Sequence, residues 1–326
     1  MYVLKRHYNH PFLRKRMQNY IKFLCKPNDF GFFNVIFYPF SVKSIVKWDF
    51  IIKFARKNKQ ISNQRLFVGT VTLMNNLPFE STALQHYENT FLQRVAVVFS
   101  YPELKKENVS DDFSVEFRKF LSVNFGLQIG DEQENAFWND SIRLTRNDES
   151  MVWMLGSSQI MVMLGTKDYQ TFVDSVLPAV YKMRKFVEKV LGQNAVTELR
   201  IRKINIWQFE TDNNNKLTFD KIRSSVLSTD LLNLKTNTYL EESEKPLQNF
   251  KKILYKDGND ELYLRHFVNT INKATLLYLD TERVHIESVH LDKIEDALME
   301  MNKELYDAYH WCVSPQIIEI MKGECK

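Results

Sequence analysis

The sequence has few glycines and cysteines, and neither residue falls into a common functional motif. Its nine glycines never form a G-x-G or G-K-[ST] pattern, and phosphate-binding loops need such patterns so that backbone N–H groups can approach the ligand. The three cysteines, Cys25, Cys312 and Cys325, are too few and too scattered for a disulfide framework or a four-ligand zinc site. We therefore expect no Walker or Rossmann nucleotide site and no cofactor.

Long apolar segments are missing as well. No uninterrupted apolar run reaches the roughly 18 residues that cross a bilayer, and the N-terminus lacks a compact apolar segment followed by a small-residue cleavage site. We expect no membrane span, a cytoplasmic location and reduced thiols. With 326 residues, of which 44% are apolar, the chain is long enough to bury a large core.

Charge is distributed unevenly along the chain. Residues 1–59 hold thirteen Lys or Arg and two Asp, a net charge of +11, whereas the remaining residues carry −7. Clustered cations with aromatic residues between them suit phosphates and bases, so one interpretation is a basic arm that binds nucleic acid. Two other interpretations of residues 1–73 are a poorly packed or spurious extension and a structural appendage, because the segment has no sustained periodicity.

Residues 74–326 show regular patterns and are expected to form an α+β domain. The segment "FLQRVAVVFSY" predicts a strand, and "SDDFSVEFRKFLSVNFG" predicts a helix that ends near Gly126. Three short strands follow with hairpin-type connections, and a long amphipathic helix is predicted over 169–191. Antiparallel meander sheets covered by long amphipathic helices are therefore expected, in two similar-style halves at about 88–210 and 211–326.

The C-terminal segment "YDAYHWCVSP" contains a histidine and a cysteine two residues apart. Apolar residues from Leu291 to Cys312 recur in steps of three and four, which predicts a helix with Cys312 on its buried seam. Two positions on a helix are about 200° apart, so His310 is expected on the surface, away from the thiol. This geometry argues against a Cys/His catalytic pair, and we assign no catalytic residue.

The segment "LRIRKIN" holds the candidate binding residues Arg200, Arg202 and Asn205. In a strand, the two arginines share one face, whereas Lys203 and Asn205 lie on the opposite face. Guanidinium groups on a sheet face can bind a carboxylate or phosphate through two hydrogen bonds. The alternative is that both arginines pair with acidic residues of a neighbouring element.

Metal ligands are not evident in the sequence. The only close histidine pairs are His7/His10 and His285/His290, and neither has a companion ligand at a familiar spacing. We expect these histidines to be solvated, and we predict no metal site.

Several segments between about Asn89 and Gly323 resemble a sporadically distributed, uncharacterised family of bacterial and archaeal proteins. The resemblance rests on "FLQRVAVVFSYP", on "QIMVMLGTKDYQTFVDSVLPAVYKMRKFVEKVL", on "LLYLD" followed by "MNKELYDAYHWCVSPQIIEIM", and on Arg202 and Asn205, which match an R-x-x-N of the family's central strand. Lys203 departs from the pattern, which has an aromatic residue there. The resemblance implies no particular reaction, and the family's distribution suggests mobile or phage-defence genes.

These observations lead to three functional hypotheses. The first is a non-enzymatic interaction protein that binds a protein partner or itself as a homo-oligomer, since catalytic arrangements are missing and long apolar seams are present. The alternative is a nucleic-acid-binding factor that uses the basic segment 1–59. The third is an unrecognised hydrolase or nuclease.

Overall fold

Strands form the framework of the protein. The computed structural model describes residues 73–75, 77–87, 89–104, 113–125, 142–145, 150–166, 168–210, 218–234, 250–271 and 274–323. The strands are β1 (Leu92–Ser100), β2 (Ile142–Thr145), β3 (Met151–Leu155), β4 (Gln159–Gly165), β5 (Ala195–Val196), β6 (Glu198–Glu210), β7 (Lys251–Asp257), β8 (Asp260–Ile271), β9 (Ala274–His285) and β10 (Val289–His290). Eight of them form one sheet in the order β2-β3-β4-β1-β6-β9-β8-β7, and the short strands β5 and β10 pair separately.

All neighbouring strands of the large sheet run antiparallel. Strands β2 to β4 and strands β7 to β9 form two meanders, which β1 and β6 join at the centre of the sheet. The helices are α1 (Phe113–Phe125), α2 (Leu177–Lys189), α3 (Phe219–Val226), α4 (Thr229–Asn233), α5 (Ile294–Cys312) and α6 (Pro315–Met321). The predicted α+β class, with antiparallel meanders and packed helices, is confirmed.

One hydrophobic cluster connects the sheet with the helices. Val95, Val97 and Phe99 alternate along β1 and are fully buried, as expected for side chains that share one face of a strand. They belong to the same cluster as Leu298 and Leu305 of α5. The described residues all lie within the compact unit Val68–Cys325.

The helix predicted over 169–191 is shorter and begins differently. A π-helical turn at Phe172–Val176 precedes α2, and Thr171 caps this turn by accepting a hydrogen bond from the Asp174 N–H at 3.0 Å. Pro178 lies in the first turn of α2. Because proline has no N–H to donate, it is tolerated at a helix start and interrupts a continuous helical ladder. The proline therefore marks a change of helix type.

Residues 219–233 form two helices, α3 and α4, instead of one continuous helix. Leu227 adopts an extended conformation and forms an isolated bridge with Val313. The Ser228 N–H donates to the Cys312 carbonyl at 2.9 Å, and the Ser228 hydroxyl caps α4. The contact with the end of α5 is tertiary, so the local helical pattern did not predict the break.

A segment that forms no helix or strand, residues 73–75 and 77–87, contacts α5, and we call it the strap. The Thr82 N–H and hydroxyl both donate to Asp307 Oδ1 at 2.9 Å. The Tyr87 hydroxyl contacts His310 Nε2 at 2.8 Å. His310 is therefore partly covered by the strap and remains partly exposed, and the pattern of α5 alone does not show what packs over it.

Cys312 occupies the buried seam of α5, as predicted. Its side chain is fully buried, and burial raises the pKa of the thiol. We expect Cys312 to resist a thiol reagent in the native protein and to react only on unfolding. The measurement is the labelling rate with and without denaturant in a Cys25→Ser, Cys325→Ser background. A native rate equal to that of the unfolded chain would contradict the buried position.

Candidate functional site at the central strands

Strand β6 carries charged side chains on both of its faces. Arg200 and Arg202 lie on one face, and Lys203 and Asn205 lie on the other, as the alternation along a strand requires. The second face also carries Ile201, which is fully buried in the hydrophobic cluster. The two groups of polar side chains therefore lie in different environments.

The arginine face contains a dense set of ion pairs. Arg202 donates from Nε to Asp280 Oδ1 at 2.8 Å and from Nη2 to Oδ2 at 2.7 Å. Arg265 of β8 donates to the same carboxylate at 2.9 Å, and Arg200 donates to Glu282 at 3.0 Å. We call these five residues the ion-pair face. Both arginines that the sequence proposed as ligand-binding residues thus pair with acidic residues of the neighbouring strand β9.

Electrostatics on the ion-pair face favour the charged form of each carboxylate. Burial alone would raise the pKa of Asp280, but the positive charges of Arg202 and Arg265 outweigh burial and lower the pKa below its ordinary value of 3.8. Burial likewise opposes ionisation of Glu282, and the charges of Arg265 and Arg200 again lower the pKa. The ion pairs thus stabilise the fold only while these carboxylates are ionised.

The face of the sheet that packs against α5 contains a second set of charges, which we call the Arg283 cluster. Arg283 is fully buried, and it donates from Nη1 to Asp260 Oδ1 at 2.6 Å and from Nε to Glu304 of α5. His285 Nδ1 contacts the same oxygen of Asp260 at 2.7 Å. The Met74 N–H of the strap also donates to Glu304. The cluster therefore links β8, β9, α5 and the strap.

The position of His285 corrects the expectation of a solvated histidine. Strand β9 begins at Ala274 and continues to His285, which is buried with 2% exposure. The other member of that pair, His290, contacts Asp292 at 2.5 Å and is partly exposed. His7 and His10 lie outside the described residues.

A third set of polar side chains on the same face lacks partners. The Lys203 and Asn205 side chains are buried, with 9% and 4% exposure, and form no hydrogen bond or ion pair within the described ranges. Thr281 lies directly opposite Lys203 on β9, is fully buried, and has no hydrogen-bond partner for its hydroxyl among the described residues. We call these three residues the Lys203 cluster. Burial lowers the pKa of Lys203 to about 8.

His266 of β8 is another buried polar residue near these strands. It pairs across the ladder with Leu279, which in turn pairs with Asn205, so its side chain shares the face of the Lys203 cluster. Neither ring nitrogen has a hydrogen-bond partner in the described part of the chain. Burial, with smaller contributions from Arg223 and Lys251, lowers the pKa of His266 to about 3. The ring is therefore neutral at physiological pH.

The candidate binding residues lie on two faces of the sheet, as alternation along β6 indicates. Arg202 and Asn205 are three positions apart in a strand and therefore project from opposite faces of the sheet. Sequence reasoning did not identify Thr281, Arg283 or Glu304. Alternation along β6 places Lys203 beside Asn205, but the strand that lies opposite Lys203 becomes known only from the pairing.

No protein-family model matches the chain, and no curated protein matches it. The resemblance based on Arg202 and Asn205 remains a prediction. Across the described ranges, no group of three or more His, Cys, Asp and Glu side chains is placed to hold a metal ion. Within the same ranges, none of the helices is both long and apolar enough to span a membrane.

Proposed function

We propose that this protein is a non-enzymatic interaction protein that binds a protein partner or a second copy of itself. The observation that carries the proposal is a concentration of exposed apolar side chains on α1 and on the helical segment that contains α2. Val115, Val123, Val173 and Tyr181 account for four of the seven large apolar side chains that are exposed among the described residues. We call these four residues the α1–α2 patch.

The two helices of the patch are direct neighbours. The ring of Phe186 in α2 lies 5.1 Å from the Phe117 ring and 4.9 Å from the Phe120 ring of α1, measured between centroids. Lys182 Nζ donates to the Asn124 carbonyl at 2.7 Å. Because the larger aromatic residues join the helices, the valines and Tyr181 point to solvent instead of the core.

Exposed apolar side chains favour association, because covering them removes apolar area from water. Val123 has 76% of its surface exposed, so a partner would gain a large contact there. Arg184 and Lys185 place their charged groups 5.1 and 5.4 Å from the Tyr181 ring centroid. Both cations also form ion pairs, with Glu295 and Glu188 respectively. The patch therefore combines apolar side chains with charges of both signs, as the polar rim of an interface does.

The expected result of Val123→Asp combined with Tyr181→Asp is a loss of association of tenfold or more, with the thermal unfolding temperature unchanged. Sedimentation equilibrium measures self-association, and a photocrosslinker at position 123 captures a partner protein. Lys119→Asp is the matched control, because Lys119 is an exposed polar residue of the same helix. A monomeric wild-type protein that also forms no crosslink at position 123 would contradict the proposal.

The nucleic-acid alternative depends on the basic residues 1–59, which lie outside the described residues. It makes a separate prediction: affinity for DNA or RNA should fall steeply with salt and disappear when residues 1–73 are deleted. Binding that survives the deletion would exclude the basic segment as its source.

A further inference from the structure

Lys203 differs from the other buried cations described above because it has no counter-ion. Arg202 pairs with Asp280, and Arg283 pairs with Asp260 and Glu304. Lys203 lies on β6, one of the central strands of the sheet, and burial is the only cause of its lowered pKa. With a pKa of about 8, the amine is still mostly protonated at pH 7. A buried charge of this kind is costly unless an anion and hydrogen-bond acceptors compensate it.

Two neighbours of Lys203 on this face, Thr281 and Asn205, can donate hydrogen bonds, whereas the buried Val95 lies opposite Lys203 on the other neighbouring strand, β1. Thr281 lies directly across from Lys203 on β9, and side chains in such a cross-strand position have Cβ atoms about 4.5–5.5 Å apart. Asn205 follows two residues along β6 on the same face. As whole residues, Lys203, Asn205 and Thr281 are 9%, 4% and 0% exposed, and the Thr281 hydroxyl is fully buried without a partner among the described residues. Buried polar atoms without partners are rare in proteins, and an absent ligand is one explanation for them.

We propose that the Lys203 cluster binds the carboxylate group of a small molecule. The Lys203 ammonium supplies the counter-charge, and the Thr281 hydroxyl and the Asn205 amide donate to the carboxylate oxygens. One cation balances one monoanion, whereas a phosphate carries about −1.5 to −2 charges at pH 7 and would leave a buried negative charge. The carboxylate thus satisfies every group that the fold leaves unpaired at this position. This binding site is independent of the α1–α2 patch.

The test measures thermal unfolding of the full chain at pH 7 and constant ionic strength, with formate, acetate or inorganic phosphate replacing chloride. A ligand that binds only the native state raises the unfolding temperature in a saturable way. We expect formate or acetate to do so in the wild type and in Lys256→Met, an exposed lysine of the edge strand β7. Lys203→Met should abolish the rise, and Thr281→Val should weaken the apparent affinity about tenfold, the equivalent of one lost hydrogen bond to a charged group.

Three results would overturn the proposal. The first is an equal response of wild type and Lys203→Met to the carboxylates, and the second is no saturable response of the wild type to formate or acetate. The third is a larger response to phosphate than to either carboxylate, which would exclude a carboxylate as the ligand. If Lys203→Met does not fold, the decision rests on Thr281→Val, because this nearly isosteric change removes only an unpaired hydroxyl. An unchanged affinity in a folded Thr281→Val protein would likewise reject the site.

Discussion

Arg283→Met is expected to lower the free energy of unfolding by about 3–5 kcal/mol, because it leaves buried carboxylates without their cation. Arg283 is fully buried and donates to both Asp260 and Glu304. Methionine fills part of the arginine volume but supplies neither charge nor hydrogen bonds. Denaturant-induced unfolding at neutral pH measures the change.

The matched control is Arg184→Met, which also removes an arginine from an ion pair. Arg184 contacts Glu295 at 3.1 Å, but both side chains are partly exposed, and water can therefore solvate the remaining carboxylate. Such pairs contribute about 0–1 kcal/mol. Equal losses for the two variants would show that the Arg283 cluster is not the buried network that the structure describes. A double-mutant cycle with Glu304→Gln gives the coupling energy of the pair directly.

Acidification is expected to destabilise the protein steeply once the pH falls below the ordinary carboxylate pKa values of 3.8 for Asp and 4.5 for Glu. The pKa values of Asp260, Asp280 and Glu282 are all lowered in the folded protein. In this pH range the unfolded chain binds more protons than the native protein, so the free energy of unfolding decreases as the pH falls toward the native values. Equilibrium unfolding at a series of pH values measures this slope.

Glu304 contributes to the pH dependence with the opposite sign. Burial raises its pKa, and the charge of Arg283 only partly opposes burial. Its contribution to stability is therefore present at low pH and is lost as the pH rises through the native pKa.

Asp280→Asn removes one group with a lowered pKa, so the acid slope of that variant should be shallower than that of the wild type. Identical slopes would contradict the assignment of Asp280.

Local sequence patterns were sufficient to predict the α+β class and most of the strands. The β-branched and aromatic residues of "FLQRVAVVFSY" identified β1, and the three- and four-residue steps before Cys312 identified α5 with its buried seam. The alternation of side chains along a strand separated Arg202 from Asn205 into opposite faces of β6. These features depend on the fixed side-chain periods of strands and helices, which are local properties of the chain.

Packing interactions between residues far apart in sequence determined which charged and polar side chains lie next to one another. Pairing of β6 with β9 brought Asp280 to Arg202 and Thr281 to Lys203, although nearly 80 residues separate each pair in sequence. The strap covers His310 through Tyr87, and β9 extends far enough to bury His285 beside Asp260. The sequence alone determined which side chains share a face of a strand, since that follows from the backbone period. Only the tertiary structure determined which of these charges are neutralised and which, like Lys203, are not, because neutralisation depends on strand register and on the elements that pack over the sheet.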